Sequence, residues 1–315
     1  MARSAGDRQL ELEATRVRMI VMSETGLATA EVLGELASIA GELGRWPLVV
    51  TSLIGQMNLM SEGRSAEAAQ IADEADRLAE AHGLTESKAW IAFNRAELDL
   101  QEGDWDAALR SGGRALALAE EHGYSRAAVR TWFTLRPIAR YRGDRELLAR
   151  AGEWFDALAS VPDSPYGRLM HAAIDLDVAW VRGTAAVPVA PDRLVEAWLE
   201  AGLFQDIGSA TSTLGESLTD TSSQLSKGDH RLWSARLALH EDGIDRAKVE
   251  AMARDALERL RLSSACWWVV QAIELLTVIG AASVAERAEH DVLAERLRGV
   301  DEGASPVQGR RVRAD

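Results

Sequence analysis

The residues of this sequence that could do chemistry are six histidines, one cysteine, a few serines and lysines, and a group of arginines set among aromatics. His240-Glu241 opens like the helical zinc-protease motif, but Ile244 stands where the second metal-binding histidine is required. His290 and Asp291, near Glu286 and Glu289, read as a solvated charged face. His82 and His122 each precede a glycine, where an imidazolium would meet the negative end of a helix dipole. Cys266 stands beside Trp267 and Trp268 in an apolar segment and reads as an inert buried thiol. Ser212, Ser217, Ser222 and Ser223 lack a G-x-S-x-G turn, and Lys88, Lys227 and Lys248 follow no phosphate-binding loop. These patterns predict a protein that is not an enzyme and carries no cofactor or metal.

The arginine group is the informative one. The segment SRAAVRTWFTLRPIARYRG places Arg126, Arg130, Arg136, Arg140 and Arg142 around Trp132, Phe133 and Tyr141. Guanidinium groups grip carboxylates or phosphates as bidentate forks, and the aromatics add apolar contact. One reading is a groove for an acidic protein or peptide segment, with Arg130, Arg136 and Arg140 as charge anchors and Trp132 and Phe133 as apolar ones. The other is a network of interhelical ion pairs. An offset of 40 residues brings Glu97, Asp99, Asp175 and Asp177 alongside the arginines. Pro137 lies inside the segment and predicts a kink.

The background makes that cluster anomalous, because 49 acidic and 35 basic residues leave a net charge of -14. A surface this acidic repels phosphate backbones, so direct nucleic-acid binding is not expected. The basic run Arg310, Arg311 and Arg313 lies in a Gly- and Pro-containing tail with no apolar periodicity. No run of 18 uncharged apolar residues exists to span a membrane, and one cysteine permits no intrachain disulfide. The expected setting is a reducing cytoplasm.

The elements that position these residues repeat. Gly63, Gly103, Gly143 and Gly183 recur every 40 residues, and Gly83 and Gly123 mark a second series. Overlaying the two best copies pairs Ala68 with Ala108 and Ala75 with Ala115, and continues through Leu78/Leu118 and His82/His122. Segments between glycines have apolar residues at three- and four-residue spacing, which predicts amphipathic helices. Gly103 supplies the left-handed residue that ends one helix, and Asp104 caps the next. The paired alanines let neighbouring helices approach closely. A single helix pair cannot bury its apolar stripe, so the pairs must stack.

This arithmetic predicts an all-α, right-handed α-solenoid of about seven antiparallel helix pairs. They fall near 7–44, 47–83, 87–123, 126–162, 166–202, 229–261 and 263–298. Residues 1–6 and 299–315 read as disordered ends, and 184–228 as a less regular stretch, with a weakly packed helix in its Ser/Thr-rich part. Trp90, Trp154, Trp180, Trp198, Trp233, Trp267 and Trp268 are expected to fill gaps between helices, and Trp105 to seal a turn.

The Gly-x4-Ala-x6-Ala pattern at Gly63/Ala68/Ala75 and Gly103/Ala108/Ala115, with Trp132 as a first-helix aromatic, resembles the tetratricopeptide repeat. With its 40-residue unit it looks like the C-terminal helical array of bacterial signalling ATPases, including maltose-regulon activator-type LuxR regulators and cyclase-linked ATPases. Where alanines would follow, Gly143 has Leu148 and Phe155, and Gly183 has Pro188. The resemblance implies first helices lining a concave peptide groove, and a role in signalling or transcription beside an ATPase or regulator. It also allows an alternative, an effector-sensing domain that takes a small acidic ligand. Neither the phosphate-binding loop nor a helix-turn-helix of those regulators occurs here.

Overall fold

A computed structural model describes residues 5–24, 29–60, 64–156, 208–209, 211–212, 215, 218, 224–241, 244–263 and 265–298. Among these residues the chain is all-helical. The helices are α1 (Ala5–Glu24), α2 (Ala30–Glu42), α3 (Trp46–Met60), α4 (Ser65–Ala81), α5 (Thr85–Glu102) and α6 (Trp105–His122). They continue with α7 (Ser125–Arg142), α8 (Arg145–Asp156), α9 (Gln224–Leu239), α10 (Arg246–Leu262), α11 (Cys266–Val278) and α12 (Val284–Arg298). Gly63, Gly183, Pro188, the pair at 166–202 and the tail 299–315 lie outside the described residues. Helix α1 begins at Ala5, so it takes in two residues that the sequence assigned to a disordered end.

The helix boundaries follow the punctuation. Gly83, Gly103, Gly123 and Gly143 all have positive φ, and at Gly103 the value is 78°. That conformation lets the α5 C-terminus reverse direction: the Asp104 N–H bonds the Asp99 carbonyl at 2.9 Å. The Asp104 carboxylate then accepts from the Ala107 N–H, and Asp144 repeats the device on Leu147 N–H, opening α6 and α8.

The alanine stripe behaves as its spacing predicts. Ala68, Ala75, Ala108 and Ala115 are all buried. Between Ala108 and Ala115 lies Gly112, where an added Cβ would sit 2.6 Å from Leu135 Cδ1 of α7. Small residues on α6 thus let an α7 leucine reach almost to the helix backbone. Leu148 is also fully buried, so the larger residue at the third repeat's alanine position is accommodated in the core.

Each helix from α1 to α8, and from α9 to α12, packs on the next in sequence, while α3, α5 and α7 also pack on one another in turn. One contact departs from that order. Helix α11 packs on α5, and Trp267, Val270 and Leu297 join the core formed by α5 to α8. An array in which only neighbouring pairs touch does not produce this contact.

Charges outside the core pair between helices. Arg95 of α5 bonds Asp73 of α4, and Arg114 of α6 bonds Asp76 of α4. Arg142 of α7 bonds Asp106 of α6, and Arg150 of α8 bonds Glu120 of α6. Arg254 and Arg261 of α10 bond Glu286 and Glu289 of α12. No helix among the described residues is long and apolar enough to cross a membrane.

Candidate functional site

Helix α7 carries the predicted cluster, and its residues divide by depth. Trp132 is 1% exposed and Arg136 only 3%, so both belong to the interior. The Arg136 guanidinium lies 5.8 Å from the centre of the Trp132 ring, and Phe133 meets that ring edge-on at 4.8 Å. The sequence placed Trp132 and Arg136 as anchors in a groove; in the structure both side chains are buried. Phe133 is half-buried against the same core. The side chains of Arg140 and Tyr141 lie outside the described residues.

The remaining arginines are exposed or half-buried. Arg142 is held by Asp106 and lies over the Trp105 ring at 5.9 Å. Arg130 faces Glu97 of α5. Burial pushes the Glu97 carboxyl up, while the Arg130 charge and a hydrogen bond from Thr134 pull it down. Asp99 takes its hydrogen bond from Ser111 instead, at 3.0 Å. Asp175 and Asp177 lie outside the described residues. Arg142 thus pairs with Asp106, an acid outside the set that the 40-residue offset named, and Arg130 acts on Glu97 through charge at longer range.

Arg126 behaves differently. It is exposed, forms no ion pair among the described residues, and lines a cleft of about 520 Å³. The other walls are Glu86 and Trp90 of α5 with Gly123, Tyr124, Ser125 and Ala127 at the α6–α7 junction. The repeat explains why the space is open. In the preceding interval Trp46 stacks on His82, with ring centres 4.3 Å apart and planes 11° from parallel. Forty residues on, Glu86 holds the position of Trp46, and His122 leans on Tyr124 at 5.7 Å instead of on an indole. The N-terminal turn of α7 also holds no acidic residue, so its dipole adds positive potential to that of Arg126.

Sequence reasoning missed this cleft, although the signal was present in the series Trp46, Glu86, Arg126 at one offset. His82, read as a capping residue, stands at the C-cap of α4 and also stacks its ring on Trp46.

Two other readings change. His290 is not simply solvated: its Nε2 lies 3.1 Å from Glu274 of α11 and its Nδ1 lies 3.2 Å from Asp291. Burial pushes its pKa down, but the two carboxylates outweigh that and raise it above the ordinary histidine value. Cys266 is half-buried, with Sγ 3.8 Å from the Glu102 carbonyl and from Arg296 Nη1. A further titratable group, Asp229 of α9, was not singled out in the sequence. Desolvation raises its pKa to about 6, against the pull of Arg236 and hydrogen bonds from Trp268 and Trp233. The residue as a whole is half-buried, so its desolvation is a property of the carboxyl's setting between those indoles. Among the described residues no group of three or more His, Cys, Asp or Glu side chains could hold a metal ion.

The chain matches no protein-family model and no curated protein.

Proposed function

We propose that the protein is a non-enzymatic helical-repeat module that binds an acidic segment of a protein partner. In this reading its helix pairs form a right-handed solenoid of about seven pairs, similar to tetratricopeptide arrays. Its setting is cytoplasmic bacterial signalling or transcriptional regulation, with an ATPase or transcription regulator as partner. The observation that supports it best is the cleft between α5 and α7. There an exposed arginine with no ion pair among the described residues stands beside Trp90 and Tyr124. An arginine flanked by aromatic walls suits a carboxylate next to an apolar side chain. The binding residues are then Arg126 with Trp90, Tyr124 and Ser125. Arg136 and Trp132 of the original cluster serve to hold α7 in place.

One observation favours a second reading. A volume of about 520 Å³ lies within the range of small-molecule sites, so a small acidic effector would fit the same walls. The test uses the full chain and two variants, Arg126→Glu and Trp90→Ala. Partners captured from the native cytoplasm and the anisotropy of a labelled acidic peptide library are compared with wild type. Loss of capture and of peptide binding in both variants supports the peptide reading. Unchanged binding in both sinks it. Retained protein capture, with a small anionic metabolite lost on dialysis of wild type but absent from Arg126→Glu, selects the effector reading.

A further inference from the structure

The last helix pair reaches back across the sequence to the turn between α5 and α6. Arg296 of α12 donates from Nη2 to the Glu102 carbonyl at 2.9 Å. The Cys266 thiol, at the start of α11, lies 3.8 Å from the same carbonyl. Trp267 meets Trp105 at 5.6 Å with the rings inclined by 61°. The fit at the turn is close: a Cβ added to Gly103 would lie 3.1 Å from both Cβ and Sγ of Cys266. Gly103 therefore has two duties, the left-handed conformation that ends α5 and a bare surface that receives α11.

The two sides of this contact have cores of their own. Val249, Ala253 and Leu257 of α10 pack with Val269, Ile273 and Leu276 of α11. Ala108, Leu116, Trp132, Leu135 and Leu148 pack within α6 to α8. What joins them among the described residues is the patch of Trp105, Trp267, Val270 and Leu297, with Trp268 and Leu293 packed against both cores, rimmed by the solvent-exposed Glu102 and Arg296. Small contacts with polar rims between separately packed units open at lower free energy than the units unfold. The charge-assisted hydrogen bond at the rim is also the element most weakened by salt.

We propose that α11 and α12 form a releasable clasp on the α5–α6 turn. The chain exchanges between a closed form and an open form in which both cores persist and the Trp105–Trp267 contact is broken. Closure ties the C-terminal end of α5 to the last helix pair, while the N-terminal end of the same helix lines the cleft with Trp90. The clasp stands independently of what that cleft binds.

The single cysteine of the chain reports the clasp directly, since Cys266 lies inside the contact. The rate of its reaction with an aromatic disulfide reagent is measured on the full chain, for wild type and Arg296→Ala, at increasing urea and sodium chloride. Loss of a charge-assisted hydrogen bond predicts a rate about tenfold higher in Arg296→Ala, at unchanged helical circular dichroism. Salt should accelerate wild type and not the variant. The urea dependence should be shallower than that of global unfolding, because less surface is exposed. Protein labelled at Cys266 with a bulky maleimide should show an increased radius of gyration and intact helicity. Equal rates in wild type and variant overturn the clasp, as does labelling that follows global unfolding with the same urea dependence.

Discussion

Trp105 and Trp267 meet edge-to-face with ring centres 5.6 Å apart, although one begins α6 and the other lies in α11, far along the chain. Both are buried, and the Arg142 guanidinium lies over the Trp105 ring from the side of α7. Three elements therefore converge on one indole: α6 carries it, α11 presses an edge on it, and α7 lays a cation over it. Truncating Trp105 to alanine should cost about 3–5 kcal/mol of stability. Trp267→Ala should cost a similar amount, acting on the same core that α11 shares with α5 to α8. Equilibrium urea unfolding followed by circular dichroism checks both, and a loss under about 1 kcal/mol for Trp105→Ala would contradict the packing described.

Arg136 and Arg126 should fail in opposite ways. Arg136 is buried with its guanidinium over Trp132, so Arg136→Ala removes a packed, desolvated cation and is expected to destabilise by about 1–3 kcal/mol. Its effect on partner binding should be small once the protein is folded. Arg126 is exposed, and Arg126→Ala should leave stability within about 0.5 kcal/mol while weakening binding. Thermal melts and binding titrations on the same two proteins decide the matter. The reverse assignment of stability and binding would restore the middle of α7 as the contact surface.

The difference between those two arginines shows where sequence reading reached its limit. The repeat, the left-handed glycines and the buried alanines Ala68, Ala75, Ala108 and Ala115 were legible, because each is fixed by local spacing along a helix. The charge reversal in α7 was also legible, but one helix holds both Arg136 and Arg126, and their depths depend on neighbours from α5 and from other helices. Spacing alone cannot supply that. The contact of α11 with α5 was invisible for a stronger reason: no periodicity within either helix encodes which remote turn it meets. The cleft falls between these cases. Its cause, Glu86 where Trp46 stands one repeat earlier, is written in the sequence but acquires meaning only after Trp46 is seen stacked on His82.

Two adjacent glycines of α6 offer a sharp contrast. An alanine methyl at Gly112 would collide with Leu135 at 2.6 Å, whereas Gly113 has nothing within 4 Å. Helix propensity favours alanine over glycine by about 1 kcal/mol at either position. Gly113→Ala should therefore stabilise by about that amount. At Gly112 the same gain is opposed by overpacking of about 1–3 kcal/mol, so Gly112→Ala should be neutral to destabilising. The signs of the two changes in unfolding free energy test how closely α6 and α7 approach, and stabilisation at both sites would mean that Leu135 has room to move.

Buried carboxyls give the protein an unusual pH response in the acid range. Asp229 has its pKa raised to about 6, from an ordinary value near 3.8, because burial disfavours the charged form. A group whose folded-state pKa is raised binds its proton more tightly when folded. Its ionisation therefore destabilises the fold progressively as pH rises from about 4 through about 6. A raised value of this size corresponds to at most about 3 kcal/mol at neutral pH. Asp229→Asn keeps an acceptor for the Trp233 and Trp268 indoles and removes the titration, so the variant's stability advantage over wild type should grow between those limits and persist above them. The gain should shrink below pH 4. His290 acts in the same direction at higher pH, since its raised pKa supplies stability that is present below the unfolded value and lost as pH climbs through the folded one. Its surroundings on α11 and α12 are Glu274, Asp291 and Glu289, the last of these held by Arg261. The imidazole keeps 24% of its side-chain surface exposed, and solvent screening of these pairs limits its share to under about 1 kcal/mol. Unfolding free energies of wild type, Asp229→Asn and His290→Gln from pH 4 to pH 9 separate the two groups: the first variant should flatten the curve below pH 6, and the second only above it.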